Sequence, residues 1–286
     1  MQTQPTNNFS NLGIAPSILA VLIRHKLLIP TPIQEKSIPV GIEGKDLVGI
    51  AQTGTGKTLA FGIPIIQKIL QEKSLALIVL PTRELALQVR EALNLVGYSF
   101  GIKTALLIGG TSMGPQIRDI RRQPNIIIGT PGRIIDHLDH RTLSLSGVKI
   151  LVLDEADRML DMGFAPQLKK ILQFVPAQRQ TLLFSATMPP EIMQIARTFM
   201  KLPVQIEIVP QGTAAANITQ EVFIVGREQK SALLHKLLND YRGSILVFTK
   251  TKHGAKKITS YLRDSRYTAA EIHSNRSLGQ RREALE

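Results

Sequence analysis

The 286-residue sequence predicts an α/β protein: a doubly wound, mostly parallel sheet with helices on both faces, followed by a truncated second unit of the same kind. Three observations carry that expectation. Short apolar runs recur along the chain, they alternate with stretches of helical period, and each run is continuous rather than alternating in polarity. Strands buried on both sides need such continuous runs, and a parallel sheet covered by helices buries both sides. The alternation of strand and helix then builds successive β-α-β units.

Taken in order, "DLVGIA" (46–51), "LALIVLP" (75–81), "TALLIGG" (104–110), "NIIIGT" (125–130), "ILVLDE" (150–155) and "TLLFSAT" (181–187) read as buried strands. Stretches such as "ELALQVREAL" and "PQLKKILQFV" between them have helical period. The rhythm breaks at "VPQGTAAANIT" (209–219), whose small residues, Pro and Gly mark a linker. It resumes with three more expected strands, "EVFIV", "SILVFTK" and "YTAAEIH", each followed by helical character. The expected division is therefore a first domain over 1–208, the linker, and a partial second domain over 220–286.

With 43% hydrophobic residues the chain can bury a sizeable core, which excludes a disordered class. No apolar run approaches the roughly 18–20 residues of a membrane span. The absence of cysteine excludes disulfides and thiolate metal sites and suits a reducing, cytoplasmic location. A net charge of +13, with a pI near 10.1, favours polyanionic partners, above all nucleic acid.

The chemistry concentrates at the ends of the expected strands, where open parallel sheets gather their ligands. "AQTGTGKT" (51–58) leaves the first strand and opens a helix at Lys57. Backbone N–H groups from Thr53, Gly54, Thr55 and Gly56 at a helix N-terminus can wrap a phosphate, with Lys57 adding a point charge. Gly54 and Gly56 allow the close approach that a side chain would block, and Thr58 can place its hydroxyl on Mg²⁺. About a hundred residues on, "ILVLDEADRML" brings Asp154 and Glu155 to a strand end. Asp154 is suited to hold Mg²⁺ and Glu155 to orient and deprotonate water. As a phosphate loop, however, the segment has Ala51 where the general pattern asks for glycine.

That departure is informative, because "AQTGTGKT" and "DEAD" (154–157) together resemble the DEAD-box family of ATP-dependent RNA helicases, whose loop begins with alanine. "PTPIQ" (30–34), "PTRELA" (81–86), "GG" (109–110), "TPGR" (130–133) and "SAT" (185–187) follow the family's order. The resemblance implies RecA-like domains of the P-loop NTPase class, ATP and Mg²⁺ as cofactors, and a monomer that grips RNA through phosphates and 2′-hydroxyls. Residues 1–35 would recognise adenine, Gln34 reading its edge and Phe9 stacking on it, although read alone Phe9 is a core residue and Gln34 an ordinary helix start. Lys57, Asp154 and Glu155 would carry catalysis, with Thr58 and Asp154 on the metal.

The resemblance also implies a coupling role for Asp157, Ser185 and Thr187. It assigns RNA to Pro81, Thr82, Arg83, Gly109, Gly110, Thr130, Pro131, Gly132 and Arg133, and to Thr249 and Lys250 in the second domain, where Phe248 would pack. Lys26 and Leu27 depart from the family's glycine and aromatic. Within the 286 residues no R-G-x-D or H-R-x-G-R-x-x-R segment occurs, so the chain is expected to be a fragment that binds nucleotide, hydrolyses it slowly and does not unwind a duplex. A rival motif, G-x-S-x-G over Gly110–Gly114, would offer Ser112 as a nucleophile, but no later acid–histidine pair is distinguished by its context.

Overall fold

A computed structural model describes residues 8–208 and 219–285. All of the expected linker except Thr219 lies outside the described residues. The chain divides into two compact units, Met1–Gly212 and Thr213–Glu286.

In the first unit, helices α1 (Pro16–Arg24) and α2 (Pro32–Ile42) precede the first strand. The unit then alternates strictly: β1 (Leu47–Ile50), α3 (Lys57–Glu72), β2 (Leu75–Val79), α4 (Arg83–Gly97), β3 (Thr104–Leu107), α5 (Met113–Arg121), β4 (Ile126–Gly129), α6 (Pro131–Asp139) and β5 (Val148–Leu153). Two helices, α7 (Ala156–Asp161) and α8 (Ala165–Phe174), lead to β6 (Gln180–Ser185), followed by α9 (Pro190–Phe199) and β7 (Val204–Glu207). All pairings are parallel, and the strand order is β3-β4-β2-β5-β6-β1-β7.

The six expected strands form, each ending before its apolar run does, because the last residues turn away into loops; β5 and β6 begin two and one residues earlier than their runs. A seventh, β7, was not expected. It is an edge strand paired only with β1, and of its four residues only Ile206 is buried, so it lacks the continuous apolar run of a central strand.

Side chains of alternate strand residues divide the core. Val48, Ile50, Leu77, Val79, Ile127, Leu151, Leu153 and Leu183 join Ile134, Met159, Leu168, Ile171 and Ile192 of α6–α9 in one cluster. On the other face Phe184 of β6 meets Phe61 of α3, their ring centroids 5.6 Å apart. A second cluster gathers Phe9, Leu12, Ile18, Leu22, Ile38, Ile63, Ile66 and Val96 from the N-terminal segment and α1–α4. Fully burying each such Leu, Ile or Phe contributes about 1.5–3 kcal/mol. Asp46 closes the sheet where the strands enter: its carboxylate accepts the N–H of Thr181 (2.7 Å) and of Lys201 (2.6 Å).

The second unit contains α10 (Lys230–Asp240), α11 (Lys252–Asp264) and α12 (Leu278–Glu283). The three strands expected there do not form: among the described residues, "EVFIV", "SILVFTK" and "YTAAEIH" join no ladder. A strand needs a hydrogen-bonded neighbour, and among the described residues these runs have none. Val222, Ile224, Leu246 and Phe248 are largely exposed, so Phe248 does not pack as expected.

Candidate active site

The loop after β1 is shaped by its glycines. Gly56 caps α3 in the left-handed region, with φ 90°. A Cβ there would lie 2.5 Å from the Gln34 amide nitrogen and 3.0 Å from Thr31 Oγ1, so only glycine fits. Gly54 is also left-handed, and a Cβ on it would meet nothing within 4 Å, which leaves an open mouth above the helix N-terminus. Thr53 is exposed, Thr58 is half-buried in the first turn of α3, and Thr55 donates its hydroxyl to Gln52 O at 2.7 Å.

Lys57 is buried under this loop. Its Nζ donates to Ala51 O (3.1 Å) and stands 4.0 Å from Asp154 Oδ1. Asp154 is 3% exposed at the end of β5 and accepts the Glu155 N–H at 3.0 Å. Burial pushes its carboxyl up to about 6, against the opposing attraction of Lys57 and the Glu155 N–H bond. Glu155, in the left-handed region at φ 51°, caps α7, and its carboxylate is held by Arg158 Nη1 at 3.0 Å.

Strand β6 ties these groups to a third motif. Ala51 N donates to Ser185 O (3.0 Å), and the Ser185 hydroxyl accepts the Asp157 N–H (3.1 Å). Asp157 Oδ2 accepts both the hydroxyl and the N–H of Thr187 at 2.8 Å. Burial raises the Asp157 pKa, but the bonds from Thr187, Ser185 and the Arg158 N–H outweigh it and leave the pKa lowered.

In the segment expected to recognise adenine, Gln34 lies beside the loop, but its amide is engaged within the protein. Its Oε1 accepts the Thr31 N–H (3.0 Å) and its Nε2 donates to Gly56 O (2.9 Å). Phe9 is 4% exposed and belongs to the N-terminal cluster, as its reading as a core residue expects. Lys26 does occupy the left-handed conformation that glycine would favour, with φ 59°.

A second group of predicted residues meets at the ends of β2, β4 and β3, the other half of the sheet. Thr82 caps α4, its hydroxyl accepting the Leu85 N–H at 3.3 Å, and Pro81 is buried beneath it. The Arg83 guanidinium lies across Gly109 and Gly110. Gly110 is left-handed at φ 73°, and a Cβ there would collide with that guanidinium. Thr130 and Pro131 are buried at the start of α6, and Gly132 is half-buried. Arg133 is not held out to solvent: its side chain is 10% exposed, donates to Thr111 O (3.0 Å) and pairs with Asp136 (3.3 Å).

The structure thus brings Arg83, Gly109, Gly110 and Arg133 together around one loop. Thr249 and Lys250 belong to the second unit, where the Thr249 hydroxyl donates to Thr251 O. Ser112 stands at the N-cap position of α5, and among the described residues no histidine hydrogen-bonds to it. Arg158 is a site residue that motif reading missed, although its spacing of three from Glu155 on a helix was the available signal.

Sheet, glycine loop, buried lysine and acidic strand end make up the RecA-like α/β architecture. The description "DEAD/DEAH box helicase" matches residues 31–195, more than half of the sequence, and the chain belongs to this family. It is 42% identical over 277 residues to the ATP-dependent rRNA helicase RRP3 of Candida albicans, an alignment covering 96% of this chain and 52% of that protein. It is 44% identical over 280 residues to the ATP-dependent RNA helicase CshA of Listeria monocytogenes, covering 97% and 54%. The chain therefore spans about half the length of the curated relatives it matches. Among solved structures it resembles a DEAD box protein from Methanococcus jannaschii, with TM-score 0.67 and 38% identity over 97% of this chain and 76% of that one.

Proposed function

We propose that the first unit binds Mg²⁺·ATP at the mouth above α3 and hydrolyses it in support of RNA remodelling, with residues 220–286 belonging to a second helicase domain. The observation that carries this reading is the buried Lys57–Asp154 pair, 4.0 Å apart, beneath an open glycine loop. Lys57 would leave Ala51 O to meet the β- and γ-phosphates, and the loop amides would receive the remaining charge.

The residues suit a divalent ion. Asp154 is a carboxylate disfavoured by burial, a cost that a cation beside it would relieve. Asp154 and Thr58 would hold the ion, which when bound neutralises developing phosphate charge. Mg²⁺ in phosphoryl-transfer sites usually takes one or two carboxylates plus phosphate oxygens.

Glu155, once released from Arg158, orients the attacking water and accepts its proton. Asp157, Ser185 and Thr187 join that centre to β6. Arg83, the Gly109–Gly110 backbone and the N-termini of α4 and α6 grip RNA phosphates; such contacts position a strand without reading its bases. These 286 residues carry no arginine-finger motif, and a finger contributes about 10³–10⁵ in turnover, so slow hydrolysis without duplex unwinding is proposed for them.

Titration of a fluorescent adenine nucleotide into Lys57→Ala tests the nucleotide site. A charge-assisted phosphate contact is worth about 1.5–3 kcal/mol, so affinity should fall at least tenfold. Unchanged affinity overturns the assignment.

A further inference from the structure

Two buried polar side chains outside every motif hold the RNA-facing half of the sheet together. Gln116, in α5, is 5% exposed, and His137, in α6, is fully buried. The Gln116 amide donates from Nε2 to Ile108 O (3.0 Å) and to the Thr111 hydroxyl (2.8 Å), which itself donates to Ile108 O. Because Nε2 faces these acceptors, Oε1 faces His137 Nε2 at 3.2 Å, and that ring nitrogen must carry the proton. The other ring nitrogen, Nδ1, lies 2.8 Å from the Thr142 hydroxyl.

Burial, and then the charge of Arg133, lower the His137 pKa, which favours the neutral ring, and the Thr142 hydroxyl beside Nδ1 also donates to His137 O at 3.1 Å. One turn earlier in α6, Arg133 donates to Thr111 O. The segment Ile108–Ser112 is therefore gripped by side chains from α5 and α6. It is the same segment across which Arg83 lies.

We infer that Gln116 and His137 are positioning residues for RNA: they fix the Gly109–Gly110 backbone against Arg83 and bring the α6 N-terminus into register with it, so that one rigid surface meets successive phosphates. The inference rests on the RNA reading given above. A buried polar pair stabilises a core less than apolar side chains of the same volume, but a hydrogen-bonded network specifies one geometry. Here that geometry joins two helices to the loop between β3 and α5, and among the described residues no hydrogen bond from either side chain reaches the nucleotide half.

The test uses the full chain, a fluorescein-labelled single-stranded oligouridylate decamer and fluorescence anisotropy. Gln116→Leu keeps volume and removes the network. RNA affinity should weaken at least fivefold and amide exchange at residues 108–113 should quicken, while fluorescent ADP affinity stays within twofold. His137→Leu should weaken RNA binding to a lesser degree. His137→Gln, which restores a donor to Gln116, should bind within twofold of the parent.

RNA affinity within twofold of the parent in both leucine variants overturns the inference. If Gln116→Leu does not fold, equal RNA affinities for His137→Leu and His137→Gln overturn it instead. Arg83→Ala separates the two levels of the reading. If it weakens RNA binding while the leucine variants do not, only the positioning role is lost. If Arg83→Ala and the leucine variants alike leave RNA affinity unchanged, the RNA reading falls and takes this inference with it.

Discussion

Replacing Asp154 by Asn should make the chain more stable while weakening its hold on Mg²⁺·nucleotide. The carboxyl has a pKa of about 6 in the fold against 3.8 ordinarily, chiefly because it is buried. The folded state thus binds a proton that the unfolded state has released between those values, and stability falls as pH rises through that window. A shift of this size corresponds to about 3 kcal/mol at pH 7, since each unit is worth about 1.36 kcal/mol.

That figure already includes the attraction of Lys57, which opposes the shift. Asn keeps the acceptor for the Glu155 N–H and removes the charge. Its advantage should be about 3 kcal/mol at pH 7, about half that at pH 5, and a few tenths near pH 4. Urea unfolding of parent and variant at these three pH values measures it, and for a unit of this size the neutral-pH gain corresponds to about 6–12 °C in Tm. An Asn variant no more stable than the parent at pH 7, or a difference that does not vary with pH, would show that burial of the charge is not what raises this group.

Gly110→Ala should destabilise the first unit by about 1–2 kcal/mol, the cost of a left-handed alanine. It should also weaken RNA binding several-fold by pushing the Arg83 guanidinium aside; thermal melts and RNA anisotropy check the two effects. Lys26→Gly should stabilise by about 0.5–1 kcal/mol: relieving φ 59° gains about 1–2 kcal/mol and the freer unfolded chain returns about 0.4–1 kcal/mol. A lower Tm would contradict it. Thr187→Val removes one of the two bonds to Asp157 Oδ2 and should cost up to about 1 kcal/mol at neutral pH. Because those bonds lower the Asp157 pKa, the loss should be present above about pH 4 and fade as acid protonates the carboxylate, a trend that denaturant titration at several pH values follows.

The contrast between Gly56 and Gln34 shows how far motif reading reached. Gly56 is recognisable in the sequence because a phosphate loop needs a left-handed residue there, and the backbone has φ 90°. Gln34 is equally recognisable as a residue, yet the roles its amide takes, accepting from Thr31 and donating to Gly56, depend on a partner 22 positions away. Phe9 is the sharper case. Its neighbours in sequence are compatible with a stack or a core residue, and its burial depends on a cluster that includes Ile18, Ile38, Ile63 and Val96.

By itself the sequence determined what depends on local chemistry: six strands written as continuous apolar runs, the glycine loop opening a helix, and the acidic pair ending a strand. Only the tertiary structure decided that Lys57 lies against Asp154, that burial lifts that carboxyl, that Arg133 is enclosed rather than exposed, and that Gln116 meets His137. It also added β7 and left the apolar runs of the second unit outside any ladder. The reason is the same each time. A backbone conformation or a cap is set within a few residues, whereas burial, ion pairing and strand pairing need groups from distant segments, and no pattern along the chain states which of them will meet.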